Sequence, residues 1–200
     1  MSKLLHIKAS VFGDEGQSSQ LAARYIDQWQ QRNLGNEVVV RDLVGDSVPH
    51  LDGAVVGAFF TPEEQRSVEQ QAIVDFSDTL IKELQDADEI VLGLPLYNFG
   101  VPSQMKAYFD HLARAGVTFK YTETGPVGLL ADKPVRVFAT RGGLYKDTGM
   151  DHQVPFLKQF LGFIGLNNVE VIYAEGLSME EVKDESLAKA RAEVDQLASA

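Results

Sequence analysis

Short runs of Val, Ile and Leu alternate along this chain with longer stretches in which apolar residues recur every three or four positions. The runs are "LLHIK" (4–8), "EVVVRDL" (37–43), "EIVLGL" (89–94), "VRVFAT" (135–140) and "VEVIYAE" (169–175). Their length and β-branched content predict strands. Helical spacing follows at 18–32, 62–85, 102–115, 154–164 and 179–198. Ser18 suits an N-cap, Pro62 and Pro102 suit first-turn positions, and Gly35 and Gly116 suit C-terminal stops. The segment between 44 and 62 carries no clear period. Five βα units in succession predict an α/β fold, a doubly wound five-stranded parallel sheet with helices on both faces. Such a sheet binds ligands at the carboxyl ends of its strands.

Composition narrows the classes. With 200 residues, 44% of them hydrophobic, the chain is sized for one sizeable core, and we expect a single domain over 1–200. The net charge of -11, with no Lys/Arg cluster, argues against nucleic acid or an anionic membrane as partner. No cysteine is present, which excludes disulfides, thiolate metal sites and a cysteine nucleophile. The apolar run in "MSKLLHIKAS" is too short for a signal peptide, and no stretch reaches the ~18 apolar residues of a membrane span. A cytoplasmic protein is expected. His6, His50, His111 and His152 show no metal-ligand spacing, and His111, beside Asp110 on a predicted helix, reads as exposed or structural.

Three post-strand loops fall on the ligand edge. "ASVFGDEGQSSQ" ends at a predicted helix start, where unpaired N–H groups and the helix dipole favour an anion, with Ser10, Gln17 and Ser18 as further donors. Neither GxGxxG nor GxxxxGK[ST] is present, so a monophosphate fits better than a dinucleotide or a magnesium-bound triphosphate. Asp14 and Glu15 would repel it if they pointed inward. The stretch alone is equally compatible with a solvated loop capped by Ser18. "PLYNFG" sets Tyr97 and Phe99 around the amide of Asn98, a combination suited to a flat heteroaromatic ligand with polar edges, although either ring alone reads as core. In "TRGGLYKDTG", Gly142 and Gly143 permit close approach of backbone N–H groups and tolerate positive φ. Around the helix at 154–164, Phe156 and Phe163 widen the apolar stripe to about half the circumference, beyond the ~100° usual for one core. A subunit interface and tight packing within one chain explain that equally well.

Together "PLYNFGVPSQMKAYFDHLARAGVTFKYTETGPVGLL", "TRGGLYKDTG" and "FLGFIGL" closely resemble the bacterial FMN-dependent NADH:quinone oxidoreductases, or azoreductases, over nearly the whole chain and most weakly at 44–69. The resemblance implies a flavodoxin-like fold, a homodimer and non-covalent FMN. It also implies two-electron reduction of quinones and aromatic azo compounds by NADH, a ping-pong hydride transfer through the bound flavin. Ser10 with Gly16, Gln17 and Ser18 would hold the FMN phosphate. Leu96, Tyr97, Asn98 and Phe99 would flank the isoalloxazine. Thr140, Arg141, Gly142 and Gly143 would close around its pyrimidine end, and Tyr145 would also bind the cofactor. Phe99, Tyr121 and Phe163 would line the substrate pocket, the last contributed by the partner. Gly16 stands where relatives often carry serine, and Tyr145 where some carry histidine. With the chemistry carried by FMN, no catalytic side chain and no metal are expected. A non-enzymatic flavodoxin-like electron carrier would share the fold but would not oxidise NADH steadily with quinone. A phosphorelay receiver would need an aspartate after the third strand, where Pro95 and Leu96 stand, and a serine hydrolase at Ser10 would need a GxSxG elbow.

Overall fold

The structure, a computed structural model, describes residues 2–32 and 35–199. Strands β1 (Lys3–Lys8), β2 (Glu37–Asp42), β3 (Glu89–Pro95), β6 (Val135–Thr140) and β7 (Val169–Ala174) form one sheet in the order β2-β1-β3-β6-β7. Every pairing in it is parallel, with Leu5 opposite Val39 and Ile90, and Val137 opposite Leu92 and Val171. The predicted strands therefore stand within a residue or two of their expected ends.

Alternation along the strands divides the core into two layers. Leu5, Ile7, Leu92 and Val137 face helices α3 (Val68–Asp86), α4 (Ser103–Leu112) and α5 (Gln153–Ile164). Leu4, Val91, Phe138 and Ile172 face α1 (Gln17–Arg32) and α6 (Glu180–Ser199). The chain leaves β1 for β2 through α1 on one face and reaches β3 through α3 on the other. That reversal opens a crevice between the carboxyl ends of β1 and β3, the switch point of a doubly wound sheet. Gly93 sets how closely α1 approaches it, because a Cβ there would lie 3.3 Å from the Ser18 carbonyl oxygen.

Some local expectations are corrected. Helix α3 begins at Val68, not at 62. Ser67 accepts from the Gln70 N–H while the Gln70 side chain accepts from the Ser67 N–H, a capping box stronger than the start signal of Pro62, which precedes a short 3-10 turn at Glu63–Gln65. The 44–62 segment contains helix α2 (Gly53–Phe60), started by the Asp52 carboxylate accepting from Val55 N–H at 2.9 Å. A hairpin of β4 (Phe119–Thr122) and β5 (Gly125–Gly128) follows α4. Helix α4 stops at Leu112, and Gly116 takes a positive φ in the turn beyond it. Pro102 is the cap residue just before the first turn of α4. Residues 33 and 34, ahead of the predicted stop at Gly35, lie outside the described residues; Gly35 has φ +96°. No helix among the described residues is long and apolar enough to cross a membrane.

Candidate functional site

Two adjoining cavities, of about 270 and 430 Å³, run along the carboxyl ends of β1, β3 and β6 and share Leu96, Gly142 and Ser178. Together they fall in the ~300–1,000 Å³ range of small-molecule sites. Ser10, Gly16, Gln17, Ser18, Leu96, Tyr97, Thr140, Arg141 and Gly142 line the inner one. Asn98, Phe99, Gly143 and Tyr145 line the outer one. Every cofactor residue expected from the sequence is thus in one groove.

At its inner end, Ser18 is not the N-cap of α1 but its second residue. The first helical bond runs from Gln20 N–H to the Gly16 carbonyl, leaving the N–H groups of Gln17, Ser18 and Ser19 ahead of it. The Ser18 hydroxyl is buried and has no hydrogen-bond partner among the described residues. Ser10 is buried as well, its Oγ accepting from Phe12 N–H at 3.2 Å. A Cβ on Gly16 would lie 2.1 Å from that Oγ, so a serine could not replace Gly16 without moving Ser10. Asp14 points outward, paired with Lys8 at 2.6 Å, and that bond raises the Lys8 pKa. Glu15 is exposed, so neither carboxylate faces the groove at this end. Three N–H donors and an unpartnered hydroxyl at a helix start suit a phosphate.

The wall from β3 is a two-residue hairpin turn. Gly100 N–H donates to the Tyr97 carbonyl at 3.0 Å and Tyr97 N–H returns to Gly100 at 3.4 Å. Asn98 and Phe99 between them have φ of 49° and 64°. Asn tolerates this left-handed conformation, whereas for Phe it costs about 1–2 kcal/mol. Strain of that kind persists only where surrounding contacts impose it. The Tyr97 hydroxyl accepts from Val11 N–H at 3.2 Å, tying this turn to the first loop. Both Asn98 and Phe99 are exposed, which removes the reading of Phe99 as core.

The opposite wall is built around Arg141, whose side chain is 0% exposed. Its Nη2 donates to both Asp151 carboxylate oxygens at 2.9 and 3.0 Å, and its Nη1 to Glu175 at 3.3 Å. Both terminal nitrogens are therefore committed to carboxylates, Nε has no partner among the described residues, and with its side chain fully buried Arg141 lines the groove through its backbone. Glu175 also accepts from the N–H groups of Tyr145 and Lys146 at 2.8 and 2.7 Å. Nearby, burial raises the Tyr173 pKa first, with Asp151 adding to it, while Arg141 stacks over the ring at 4.9 Å. Gly142 and Gly143 are not at positive φ; what they supply is room, since a Cβ on Gly142 would lie 2.6 Å from Ser178 Oγ and one on Gly143 2.7 Å from the Tyr145 ring. Among the described residues their N–H groups have no acceptor, while the carbonyls of Arg141, Gly142 and Gly143 accept from Leu177, Ser178 and Gly176. The loop after β7 thus forms part of the groove through Leu177 and Ser178, which sequence reasoning missed. The rule that ligands meet the carboxyl ends of strands, extended to the fifth strand, would have pointed to it. Phe99 and Tyr145 meet edge to face across the mouth, 5.6 Å between centroids.

Tyr121 and Phe163 do not line this groove within one chain. Tyr121 is 75% exposed on β4, and Phe163 packs against Phe119 at 4.2 Å. Phe163 lines a separate apolar cavity of about 430 Å³ with Pro126, Phe156, Gln159 and Phe160. His111 is buried, with Nε2 3.0 Å from the Pro49 carbonyl, and burial lowers its pKa; of the two readings, exposed or structural, it takes the structural one. No group of three or more His, Asp or Glu able to hold a metal occurs among the described residues.

The chain is similar to known proteins. A sequence profile of the flavodoxin-like fold matches residues 2–198. The chain is 58% identical over 196 residues to an FMN-dependent NADH:quinone oxidoreductase of Cellvibrio japonicus, covering 98% of each chain. It is 55% identical over 192 residues to one of Alcanivorax borkumensis, covering 96% of this chain and 97% of that one. Among solved structures, an azoreductase from Bacillus anthracis superposes with a TM-score of 0.90 at 28% identity over 99% of both chains. An FMN-dependent NADH-azoreductase of the same species, in complex with FMN, gives 0.86 at 26% identity over 99% of this chain and 100% of that one. The groove, the sheet order and these matches agree: the chain belongs to the flavodoxin-like family of FMN-dependent NADH:quinone oxidoreductases.

Proposed function

We propose that residues 1–200 act as one FMN-binding domain that reduces quinones and aromatic azo compounds with NADH, in the cytoplasm and as a homodimer. The observation that carries the cofactor assignment is the Ser18 hydroxyl, buried without a partner at the start of α1, beside N–H groups free to meet a phosphate. When bound, FMN supplies a two-electron redox centre between NADH and the acceptor. Ser10, Gln17, Ser18 and the N–H groups of the first turn of α1 hold the phosphate. Leu96, Tyr97, Asn98 and Phe99 flank the ring system on the β3 side. Thr140 and the N–H groups of Gly142 and Gly143 meet its polar edge, with Arg141 fixing their loop and Tyr145 closing the mouth against Phe99.

The homodimer reading rests on the outer face of α5 and the β4–β5 hairpin. Phe156, Phe160 and Phe163 line an apolar cavity there, and Tyr121 and Val127 stand exposed beside it. Cover by a second copy would bury this face and carry Phe163 and Tyr121 toward the partner's groove, where Phe99 is 47% exposed. A cytoplasmic location fits a reaction that draws on NADH.

The kinetic test follows from one shared stacking face. NADH and quinone then occupy the same place in turn, and double-reciprocal plots at several fixed quinone concentrations are parallel, with high quinone competing against NADH. Intersecting lines with a demonstrated ternary complex would separate the two sites and remove Tyr121 and Phe163 from the shared pocket.

A further inference from the structure

Gln153, the first residue of α5, is 1% exposed and reaches the groove from behind. Its Nε2 donates to the Pro95 carbonyl at 2.8 Å and to the Gly100 carbonyl at 2.9 Å. Pro95 ends β3 and Gly100 closes the hairpin turn, so one amide grips both ends of the segment that presents Leu96 to Phe99. Exchanging nitrogen and oxygen would set Oε1 against two carbonyl oxygens, which fixes the orientation of the amide by chemistry. The remaining oxygen, Oε1, is buried with no partner among the described residues. An unpartnered buried acceptor makes little sense for a residue serving only to fill the core. It is explained if this position needs a donor of two hydrogens.

The second half of the linkage lies two residues earlier in the chain, just ahead of α5. Asp151 accepts from Val154 N–H at 3.2 Å at the start of α5 and takes both bonds from Arg141 Nη2. The start of α5 therefore holds the β3 wall through Gln153 and the β6 wall through Asp151. The left-handed Phe99 needs such restraint, because the two bonds within its own turn include one of 3.4 Å.

We propose that Gln153 is a positioning residue that holds the Asn98–Phe99 turn in its left-handed form and sets the spacing of the two groove walls. Its effect on cofactor binding rests on the reading of this groove as the FMN site; its effect on the turn does not. In the full-length FMN-free protein, Gln153→Met, which keeps an unbranched side chain and removes the amide, is expected to speed hydrogen exchange of the Gly100 N–H about ten-fold. It is expected to weaken FMN binding about ten-fold. In a Phe99→Gly background, where the left-handed turn carries no steric cost, the same substitution is expected to change the FMN dissociation constant by less than about two-fold. Gln153→Leu, which also removes both donors without burying a charge, is expected to reproduce both losses and serves if the Met variant does not fold. Unchanged Gly100 exchange, or an equal FMN effect in the two backgrounds, would overturn the proposal. A wild-type protein that does not bind FMN would contradict the cofactor reading and leave the exchange measurement to decide the clamp.

Discussion

Replacing Ser18 by Ala should move cofactor affinity and the stability of the FMN-free protein in different directions. The side chain is buried at the second position of α1, and its hydroxyl has no partner. Without FMN, removing an unsatisfied buried hydroxyl relieves a desolvation cost of about 1–3 kcal/mol, partly offset by lost packing. The better helix propensity of Ala adds a few tenths of a kcal/mol. The FMN-free variant should therefore equal the wild type or exceed it by about 1 kcal/mol in urea unfolding. With FMN, the variant lacks a hydrogen bond to a charged phosphate, about 1.5–3 kcal/mol, which is about a 10- to 150-fold weaker dissociation constant. Fluorescence titration of the FMN-free protein and urea denaturation of the same samples provide the two numbers. An FMN affinity within two-fold of wild type, or a loss of more than about 1 kcal/mol in the FMN-free protein, would make Ser18 a structural residue and refute the phosphate argument.

Asn98→Ala removes the loop amide and places Ala at φ 49°, whereas Asn98→Gly removes the amide alone, so both should weaken FMN retention, Ala the more. Unchanged FMN affinity in both folded variants would take the Asn98 amide out of the site. Burial, with the Lys8 charge adding to it, lowers the His6 pKa from 6.5 to about 4. Unfolded chains then bind the extra proton between those values, so its contribution to stability is full above pH 6.5 and is lost as pH falls toward 4. The loss is about 2 kcal/mol at pH 5 and roughly 3 at its limit. Urea unfolding at pH 7 and at pH 5 should show that difference in the wild type relative to His6→Asn, and equal pH dependence in the two would contradict it. Sedimentation should find a dimer at assay concentration, and Phe163→Glu should shift it toward monomer and lower activity; a fully active wild-type monomer would overturn the dimer reading.

The sheet was legible because the strands of a parallel sheet write themselves as short Val/Ile/Leu runs, and all five appear where those runs stand, including the edge strand β2, which has no fully buried residue. The short elements were not. Helix α2 is eight residues with two glycines, and β4 and β5 are four residues each and largely exposed, too short for a period to show. At the site, the residue types that meet a ligand edge could be read from three post-strand loops. How Arg141 serves could not, because its partners Asp151 and Glu175 lie 10 and 34 positions away and only the fold brings them under it. Gln153 is hidden for the same reason: its two carbonyl partners are 58 and 53 positions distant. The left-handed turn at Asn98 and Phe99 was masked by Phe, a residue that rarely takes that conformation without external restraint.

The central claim is that this groove holds FMN and that the enzyme works through it. Its most direct test is to strip the purified protein of flavin, add FMN in known increments, and follow NADH oxidation by a quinone at each one. The account predicts no turnover without FMN, then a rise in proportion to FMN that levels off at one per chain. Turnover by the flavin-free protein, or a protein that takes up no FMN and stays inactive when it is added, would contradict it.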